Sequence, residues 1–378
     1  MKLYLHSPNA KSEIKEIYVK AFTNAKKLYV VTAYLTEWDT DLKLNDGCIT
    51  FKLIIGKDFG ITRKSACIDV MNWLPPERKS QFIVADGIAG FHPKGIFWHD
   101  IDGKFYALIG SSNLTKAAFE TNYEANIFIE ISEADFIASE KWVNEIDAKS
   151  VVVSNDWLDE YKEGQSSPAK INKPKTNKNN SVKPLDLPTP NNTKKLINAR
   201  RAQLAAHDLL KSRLNNLFLQ CSEGEISSEQ FYETLPEYWS WPSGNRLQGD
   251  GWERRGKASD FTELSKSFIR ILNASDADRD DVVVKEIDNL KEQKNPSRKA
   301  FFSEILCLTY PDKYPVLNKP VHAYLSDIKF KAPKGSSEGA AYLDLAKKLR
   351  ASIIQNPNHP AKNLAELDTI IWATYGHA

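Results

Sequence analysis

Cysteine and long apolar runs are both scarce in this chain of 378 residues. Its four cysteines form no Cys-x-x-Cys pair and sit in or beside apolar runs, so we expect them to be reduced thiols. No stretch approaches the roughly 18 apolar residues that a spanning helix needs, and residues 1–16 lack the apolar block of a signal peptide. These absences predict a soluble, cytoplasmic protein without a membrane partner.

An excess of charge of either sign is also lacking. The chain carries 51 Lys and Arg against 49 Asp and Glu, a formal net charge of +2. Global charge therefore does not indicate a polyanionic partner, and any basic surface must be local. A chain of this length exceeds the usual size of one hydrophobic core, so two domains are expected.

Residues 163–195 contain almost nothing that a core would bury and are rich in Pro, Asn, Lys and Ser. This composition is typical of a flexible linker. The segment has seven Lys and only two acidic residues, Glu163 and Asp186. Its local positive charge is consistent with a non-specific contact with phosphate backbones, and the simpler interpretation is a solvated tether. The sequence thus predicts one domain over residues 1–162 and another over residues 196–378.

The first domain alternates short β-rich runs with helical patterns, which predicts βαβ units and a mixed α/β sheet. The predicted strands cover residues 2–5, 27–35, 51–55, 82–85, 95–98, 105–109 and 125–131, and the predicted helices cover residues 14–25, 65–73 and 133–147.

The second domain shows helical periodicity without clear strand alternation, which predicts a mainly α-helical recognition or regulatory domain. The predicted helices cover residues 196–220, 229–235, 261–272, 298–308, 339–354 and 364–373.

Polar residues of catalytic type interrupt the apolar strands between residues 91 and 131, and such interruptions require an explanation. His92 and Lys94 are one residue apart, so on an extended backbone both side chains emerge on one face of the sheet and can meet an anion. A turn at residues 110–113 brings hydroxyl, amide and backbone donors together at the end of the next strand. Glu124 then precedes a strand, where its carboxylate can orient an imidazole.

These residues resemble the motif of the phospholipase D superfamily, in which His-x-Lys is followed by Gly-Ser-x-Asn and an acidic residue. Here the motif reads His92-Pro93-Lys94, Gly110-Ser111-Ser112-Asn113 and Glu124. The resemblance covers about residues 1–150 and concerns the nuclease-like branch with a single motif. It implies a phospholipase D-like α/β/α fold and the following catalytic residues: His92, Lys94, Ser111, Asn113 and Glu124.

One position departs from the motif. The Asp that follows the family's Lys falls on His99 here, with Asp100 beside it. Asp100 can take the place of the motif's Asp after a shift of one residue. Alternatively, this chain lacks the role of that Asp, and His99 is a surface residue. We include Asp100 and Ser112 among the candidate substrate contacts.

The resemblance implies a mechanism that needs two imidazoles, one as nucleophile and one as general acid. Only His92 of the seven histidines lies in a His-x-Lys context, and no second motif copy follows. We therefore expect a homodimer, formed through the catalytic domain, with one composite site. No Asp, Glu and His cluster with metal-ligand spacing accompanies the motif, so no metal and no cofactor are expected.

Residues 239–257 of the second domain mix Trp, Arg and Gly in what we expect to be a long loop. Trp252, Arg254 and Arg255 suit stacking and phosphate contacts, whereas the alternative is that the tryptophans anchor the loop on the helical core. Residues 301–325 resemble accessory regions of bacterial restriction and defence proteins, and a partner protein or activating signal can bind this domain. His322 is interpreted as a structural residue.

The leading interpretation is a metal-independent phosphodiesterase or endonuclease that acts on nucleic acid, with DNA as the expected substrate, as a restriction or antiphage effector. The defence role rests on analogy of architecture. One alternative is a phospholipid-directed hydrolase or transferase, because the same chemistry serves phospholipids. The other is a nucleic-acid-binding module that keeps the fold without activity.

Overall fold

The computed structural model describes residues 1–8, 12–164, 185–239 and 250–376. It forms two compact units, one of residues 1–183 with 333–336 and the other of residues 184–332 with 337–378. All four cysteines are buried thiols. No helix in the described part of the chain is both long and apolar enough to cross a membrane.

The first unit is a mixed α/β fold around an eight-stranded sheet, which confirms the predicted fold class. Its strands are β1 (Lys2–His6), β2 (Ala25–Thr32), β3 (Thr50–Ile55), β4 (Phe82–Val84), β5 (Lys94–Asp100), β6 (Phe105–Gly110), β7 (Glu124–Ile131) and β8 (Val151–Val152). Its helices are α1 (Glu13–Asn24), α2 (Lys64–Trp73), α3 (Lys116–Glu120), α4 (Glu133–Asp147) and α5 (Asn155–Glu160).

The strands lie in the order β1-β7-β6-β5-β2-β3-β4-β8. The pairs β2–β3 and β3–β4 are parallel and the other pairs are antiparallel. Every residue of β3 is buried, as expected for a central strand that is covered on both faces. Helices α1, α2 and α5 contribute to the apolar core on one face, and α4 contributes to the core on the other.

The second unit contains helices and no strands within its described residues, in agreement with the predicted helical character. Its helices are α6 (Lys194–Glu223), α7 (Ser228–Tyr238), α8 (Asp250–Arg255), α9 (Phe261–Asn273), α10 (Arg279–Glu292), α11 (Ala300–Thr309), α12 (Lys319–Asp327), α13 (Glu338–Gln355) and α14 (Leu364–Tyr375).

Two segments of the second unit differ from the sequence-based expectations. Leu185 and Leu187, placed in the predicted linker, pack against the apolar cluster around α12 and α14. The expected loop over residues 239–257 is wrong for residues 250–255, which form α8, because Trp252 can bury its ring against Tyr232 and Phe301 when this segment is helical. Residues 240–249 of that expected loop lie outside the described residues.

Candidate active site

Five neighbouring strands bring the predicted catalytic residues to one edge of the sheet. Lys94 begins β5 and lies opposite Thr32, the last residue of β2. On the other side of β5, strand β6 ends at Gly110, directly before Ser111. Strand β7 begins at Glu124, which lies opposite His6 of β1. Antiparallel pairing therefore collects residues that are far apart in sequence at the same end of the sheet.

His92 and Lys94 form a close pair. The Nζ atom of Lys94 lies 3.0 Å from Nδ1 and 3.4 Å from Nε2 of His92, and it donates to the His92 carbonyl oxygen at 3.1 Å. The imidazole is exposed, whereas Lys94 is half-buried. Burial lowers the pKa of Lys94, and the nearby Glu124 carboxylate opposes this shift. An exposed imidazole beside a partly desolvated ammonium group is suited to meet a phosphate.

The segment before His92 is held by a carboxylate that the sequence did not single out. Asp58 Oδ2 accepts hydrogen bonds from the backbone N–H groups of Gly90, at 2.7 Å, and of Phe91, at 3.1 Å. The ring of Tyr34 meets the imidazole edge-on, with the ring centroids 5.5 Å apart. Burial, followed by the nearby Asp58 charge, raises the pKa of Tyr34. These contacts fix both the backbone and one ring face of His92.

The turn after β6 packs tightly against β7. A Cβ atom on Gly110 would lie 2.3 Å from the Ala125 carbonyl oxygen, so only glycine fits there. This close approach lets the Ser111 hydroxyl donate to Glu124 Oε2 and accept from the Ala125 N–H at 2.9 Å. Glu124 also accepts from Asn122 Nδ2 at 3.1 Å. Ser111 and Glu124 are therefore joined in one hydrogen-bonded group.

Asn113 is oriented through its side-chain oxygen. Oδ1 accepts from the Tyr34 backbone N–H at 3.2 Å and from the Thr32 hydroxyl at 3.3 Å. The Thr32 hydroxyl also accepts from the Leu114 N–H at 3.1 Å, which ties the turn to the end of β2. Because the backbone N–H can only donate, the amide oxygen must be the atom that meets Tyr34, which leaves the amino group on the other branch of the amide as a donor.

Several predicted residues take other positions. Asp100 ends β5, roughly 20 Å from Lys94 at about 3.3 Å per strand residue, and its Oδ1 accepts from the Asp102 N–H in a turn. Ser112 is buried, and its hydroxyl accepts from Asn126 Nδ2 at 2.7 Å. His99 stacks on Phe105 with the ring centroids 4.5 Å apart, as expected of a structural residue. The structure therefore does not bring Asp100 or His99 to the site, and it gives Ser112 a structural contact.

Two further expectations are altered. Within the described residues, no hydrogen bond joins Glu124 to His92, because the Glu124 carboxylate is engaged by Ser111 and Asn122. Trp252, Arg254 and Arg255 belong to the other unit. There Trp252 stacks on Tyr232 at 5.0 Å, which favours the anchoring role for this ring, while both arginines are exposed.

Sequence reasoning missed Thr32, Tyr34, Asp58 and Asn126. Asn126 left a signal, because it is an amide in an apolar strand, and buried polar groups need a partner. Thr32 and Tyr34 end an apolar run without any motif around them, and Asp58 lies 34 positions before His92 in sequence. Among the described residues, no group of three or more His, Cys, Asp and Glu side chains is arranged to hold a metal ion.

No family model and no curated protein sequence matches the chain. Several solved structures are similar to part of it, including the following two. NucT from Helicobacter pylori is 15% identical, with 40% of this chain and 99% of that chain covered and a TM-score of 0.30. Nuc from Salmonella typhimurium, a phospholipase D family member, is 16% identical, with 40% and 99% covered and a TM-score of 0.29.

Proposed function

We propose that the first unit is a phospholipase D-like phosphodiesterase that cleaves nucleic acid without a metal ion, with DNA as its substrate. The observation that carries the proposal is the convergence of His92, Lys94, Ser111, Asn113 and Glu124 at one edge of the sheet. The set combines a nucleophile with a cation and an amide donor, which are the groups that stabilise charge on a transferring phosphoryl group.

The reaction takes two steps. One imidazole nitrogen forms a bond to phosphorus while the bond to the leaving oxygen breaks, and a second, protonated imidazole gives that oxygen its proton. Water then attacks the phosphohistidine, giving a proton to the second imidazole as the phosphorus–nitrogen bond breaks. Lys94 and the Asn113 amino group bind the nonbridging oxygens. Ser111 adds a hydroxyl and links the site to Glu124.

The second imidazole is His92 of another copy of the chain, because no other histidine lies in a His-x-Lys context. A surface suited to a second copy lies beside Ser111. Leu3, Leu5, Ile109 and Ile127 are 59%, 72%, 50% and 44% exposed. Leu3 and Ile109 both lie opposite Ile127 in the strand pairing, so this apolar stripe occupies one sheet face. Its burial between two copies would favour a homodimer with adjacent sites.

The direct test is cleavage in excess chelator. Purified protein should cut DNA with EDTA present, and His92→Ala should lose the activity. His99→Ala is the matched control, because His99 stacks on Phe105 outside the site, and it should remain active. A DNA end joined to His92 through an acid-labile phosphorus–nitrogen bond, trapped by rapid mixing and located by mass spectrometry, should accompany turnover.

Other outcomes would point elsewhere. Cleavage that needs added metal, or that survives in His92→Ala, would contradict the mechanism. Hydrolysis of phosphatidylcholine without cleavage of DNA or RNA would indicate that the enzyme uses the same chemistry on phospholipids. Binding of DNA without cleavage or phosphohistidine would indicate a silent binding module.

We also propose that the helical unit recognises the nucleic acid, a signal or a partner protein, and that the whole chain acts as a restriction or antiphage effector. The support is the arrangement of a nuclease-like unit joined to an unrelated helical unit, which is an analogy of architecture. Bacteria that express the chain should restrict phage plating, and His92→Ala should abolish the effect while His99→Ala retains it. Equal plating with and without the chain would contradict this role.

A further inference from the structure

The helical unit contains a large cavity that the catalytic chemistry does not use. Its volume is about 1290 Å³, above the range of roughly 300–1,000 Å³ that is usual for small-molecule sites. Helices α6, α8, α11, α12 and α14 and the segment at residues 296–299 contribute to its lining. The cavity is therefore large enough for a ligand with two chemically different parts.

One part of the lining is aromatic and held in place. Phe301 contacts Trp239, with ring centroids 5.3 Å apart, and Trp252, with centroids 5.4 Å apart. Trp252 is in turn stacked on Tyr232. Trp372 of α14 also lines the cavity and keeps 43% of its surface exposed. Trp239 and Phe301 are buried, whereas the half-buried Trp252 and the exposed Trp372 offer flat surfaces on which a base can stack.

Another part of the lining is cationic. Five of the described lining side chains are Arg or Lys and one is a carboxylate, Glu304. The cations are Arg200, Arg255, Arg298, Lys299 and Lys319. Arg200 pairs with Glu304 at 2.8 Å and Arg298 pairs with Glu338 at 3.0 Å. Arg255 and Lys319 are exposed and Lys299 is half-buried, so these three can contact an anion that enters the cavity.

A third part of the lining belongs to a buried polar network. Arg200 Nη1 donates to Glu304, Arg200 Nε donates to the Ala365 carbonyl oxygen at 3.2 Å, and Asn318 Nδ2 donates to Asp368 at 2.9 Å. Buried charges of this kind contribute little net stability, yet they hold polar atoms in fixed positions. Glu304 and Asn318 are thereby held in fixed positions on the lining, and Asn318 Oδ1 also accepts from the Val321 N–H at 3.0 Å.

We propose that this cavity binds a nucleotide, with its base stacked on the Trp252 and Trp372 rings and its phosphate on Arg255, Lys299 and Lys319. The base and phosphate can come from a free nucleotide or from a nucleotide extruded from a nucleic-acid strand, because both present the same groups. The site is separate from the catalytic constellation and does not depend on its chemistry.

The test measures binding rather than cleavage. The full chain carrying His92→Ala is titrated with AMP, GMP, CMP and UMP, and separately with a short single strand and a mismatched duplex, by calorimetry and tryptophan fluorescence. Lys299→Gln with Lys319→Gln should weaken binding at least about tenfold through two lost charged contacts. Lys285→Gln, an exposed α10 residue outside the lining, controls for general electrostatics and should bind normally. Trp372→Leu should reduce both the affinity and the fluorescence change.

The two nucleotide sources give different results. Mononucleotide binding that the lining variants weaken supports a free ligand, whereas binding of strands alone with the same variant sensitivity supports an extruded nucleotide. Absence of binding in both series would overturn the proposal, as would equal affinity of the lining variants and Lys285→Gln. Unchanged melting temperatures must accompany any loss that is assigned to the cavity. A failure of the nuclease proposal leaves all of these results unaffected, because none involves turnover.

Discussion

The hydroxyl of Thr32 offers the sharpest test of how the site is positioned. Thr32 is 1% exposed and lies at the end of β2, where its hydroxyl contacts Asn113 Oδ1 at 3.3 Å and accepts from the Leu114 N–H at 3.1 Å. Thr32→Val keeps the side-chain shape and removes these bonds together with the bond from the hydroxyl to the Tyr34 carbonyl oxygen at 3.0 Å. Asn113 then retains its single bond from the Tyr34 N–H and can rotate away from the phosphate.

Two magnitudes follow from this geometry. A buried Leu114 N–H without a partner should cost about 1–3 kcal/mol of folding free energy. Displacement of the Asn113 amino group by up to an ångström should lower the turnover rate by roughly ten- to a hundredfold. Thr32→Ser restores the hydroxyl, so it should recover most of the rate.

Thr62→Val is the matched control for this experiment. The Thr62 hydroxyl is also buried, donates to the Gly56 carbonyl oxygen at 2.7 Å and accepts from the Leu35 N–H at 3.3 Å, but it does not contact Asn113. Chelator-resistant DNA cleavage and thermal unfolding should be measured on all three variants. A positioning role for Thr32 is refuted if Thr32→Val loses no more activity than Thr62→Val, or if Thr32→Ser is as slow as Thr32→Val.

The remaining predictions concern pH. Burial lowers the pKa of Lys94 and Glu124 opposes the shift, so the rate should fall with rising pH below the ordinary lysine value of 10.5, as the ammonium group is lost. Glu124→Gln should move this fall to lower pH, and a pH–rate profile that is flat in both proteins would contradict the role of Lys94. Burial also lowers the pKa of His207 to about 4, from 6.5. Between pH 6.5 and pH 4 this imidazole binds a proton in the unfolded chain but not in the native chain. The free energy of unfolding therefore falls as the pH drops, and at pH 5 it is about 2 kcal/mol below its value at neutral pH. The free energy of unfolding, measured with denaturant, should drop between pH 7.5 and pH 5, and the drop should be smaller by about this amount in His207→Leu than in the wild type. An equal drop in both proteins would contradict this role of His207.

The fold was largely predictable because its longer elements bury whole apolar runs or faces. Strand β3 and helix α4 follow their apolar patterns closely. Helices α3 and α5 and strand β8 were missed, since elements of two to six residues are too short to show a period. Helices α10 and α12, of 14 and 9 residues, are also absent from the predicted set. Helix α8 was taken for loop because its burial depends on Phe301, about 50 positions further on.

The residues of the candidate site could be predicted only where they are close to one another in sequence. His92 and Lys94 are placed by one strand, and Ser111, Asn113 and Glu124 by one turn and the strand after it. Asp58 could not be found, because its link to the backbone before His92 exists only after the chain has folded. Asp100 lies away from the other candidate residues because the extended strand β5 separates it from Lys94.

The claim that two His92 rings share one scissile phosphate is tested most directly by mixing subunits. Wild-type chain and His92→Ala chain are co-refolded at varied ratios to form random dimers, and cleavage is measured at constant total protein. A composite site requires both imidazoles, so activity should fall as the square of the wild-type fraction, to about a quarter at equal mixing. A linear fall, to about a half, would mean that each chain works alone and would contradict the account.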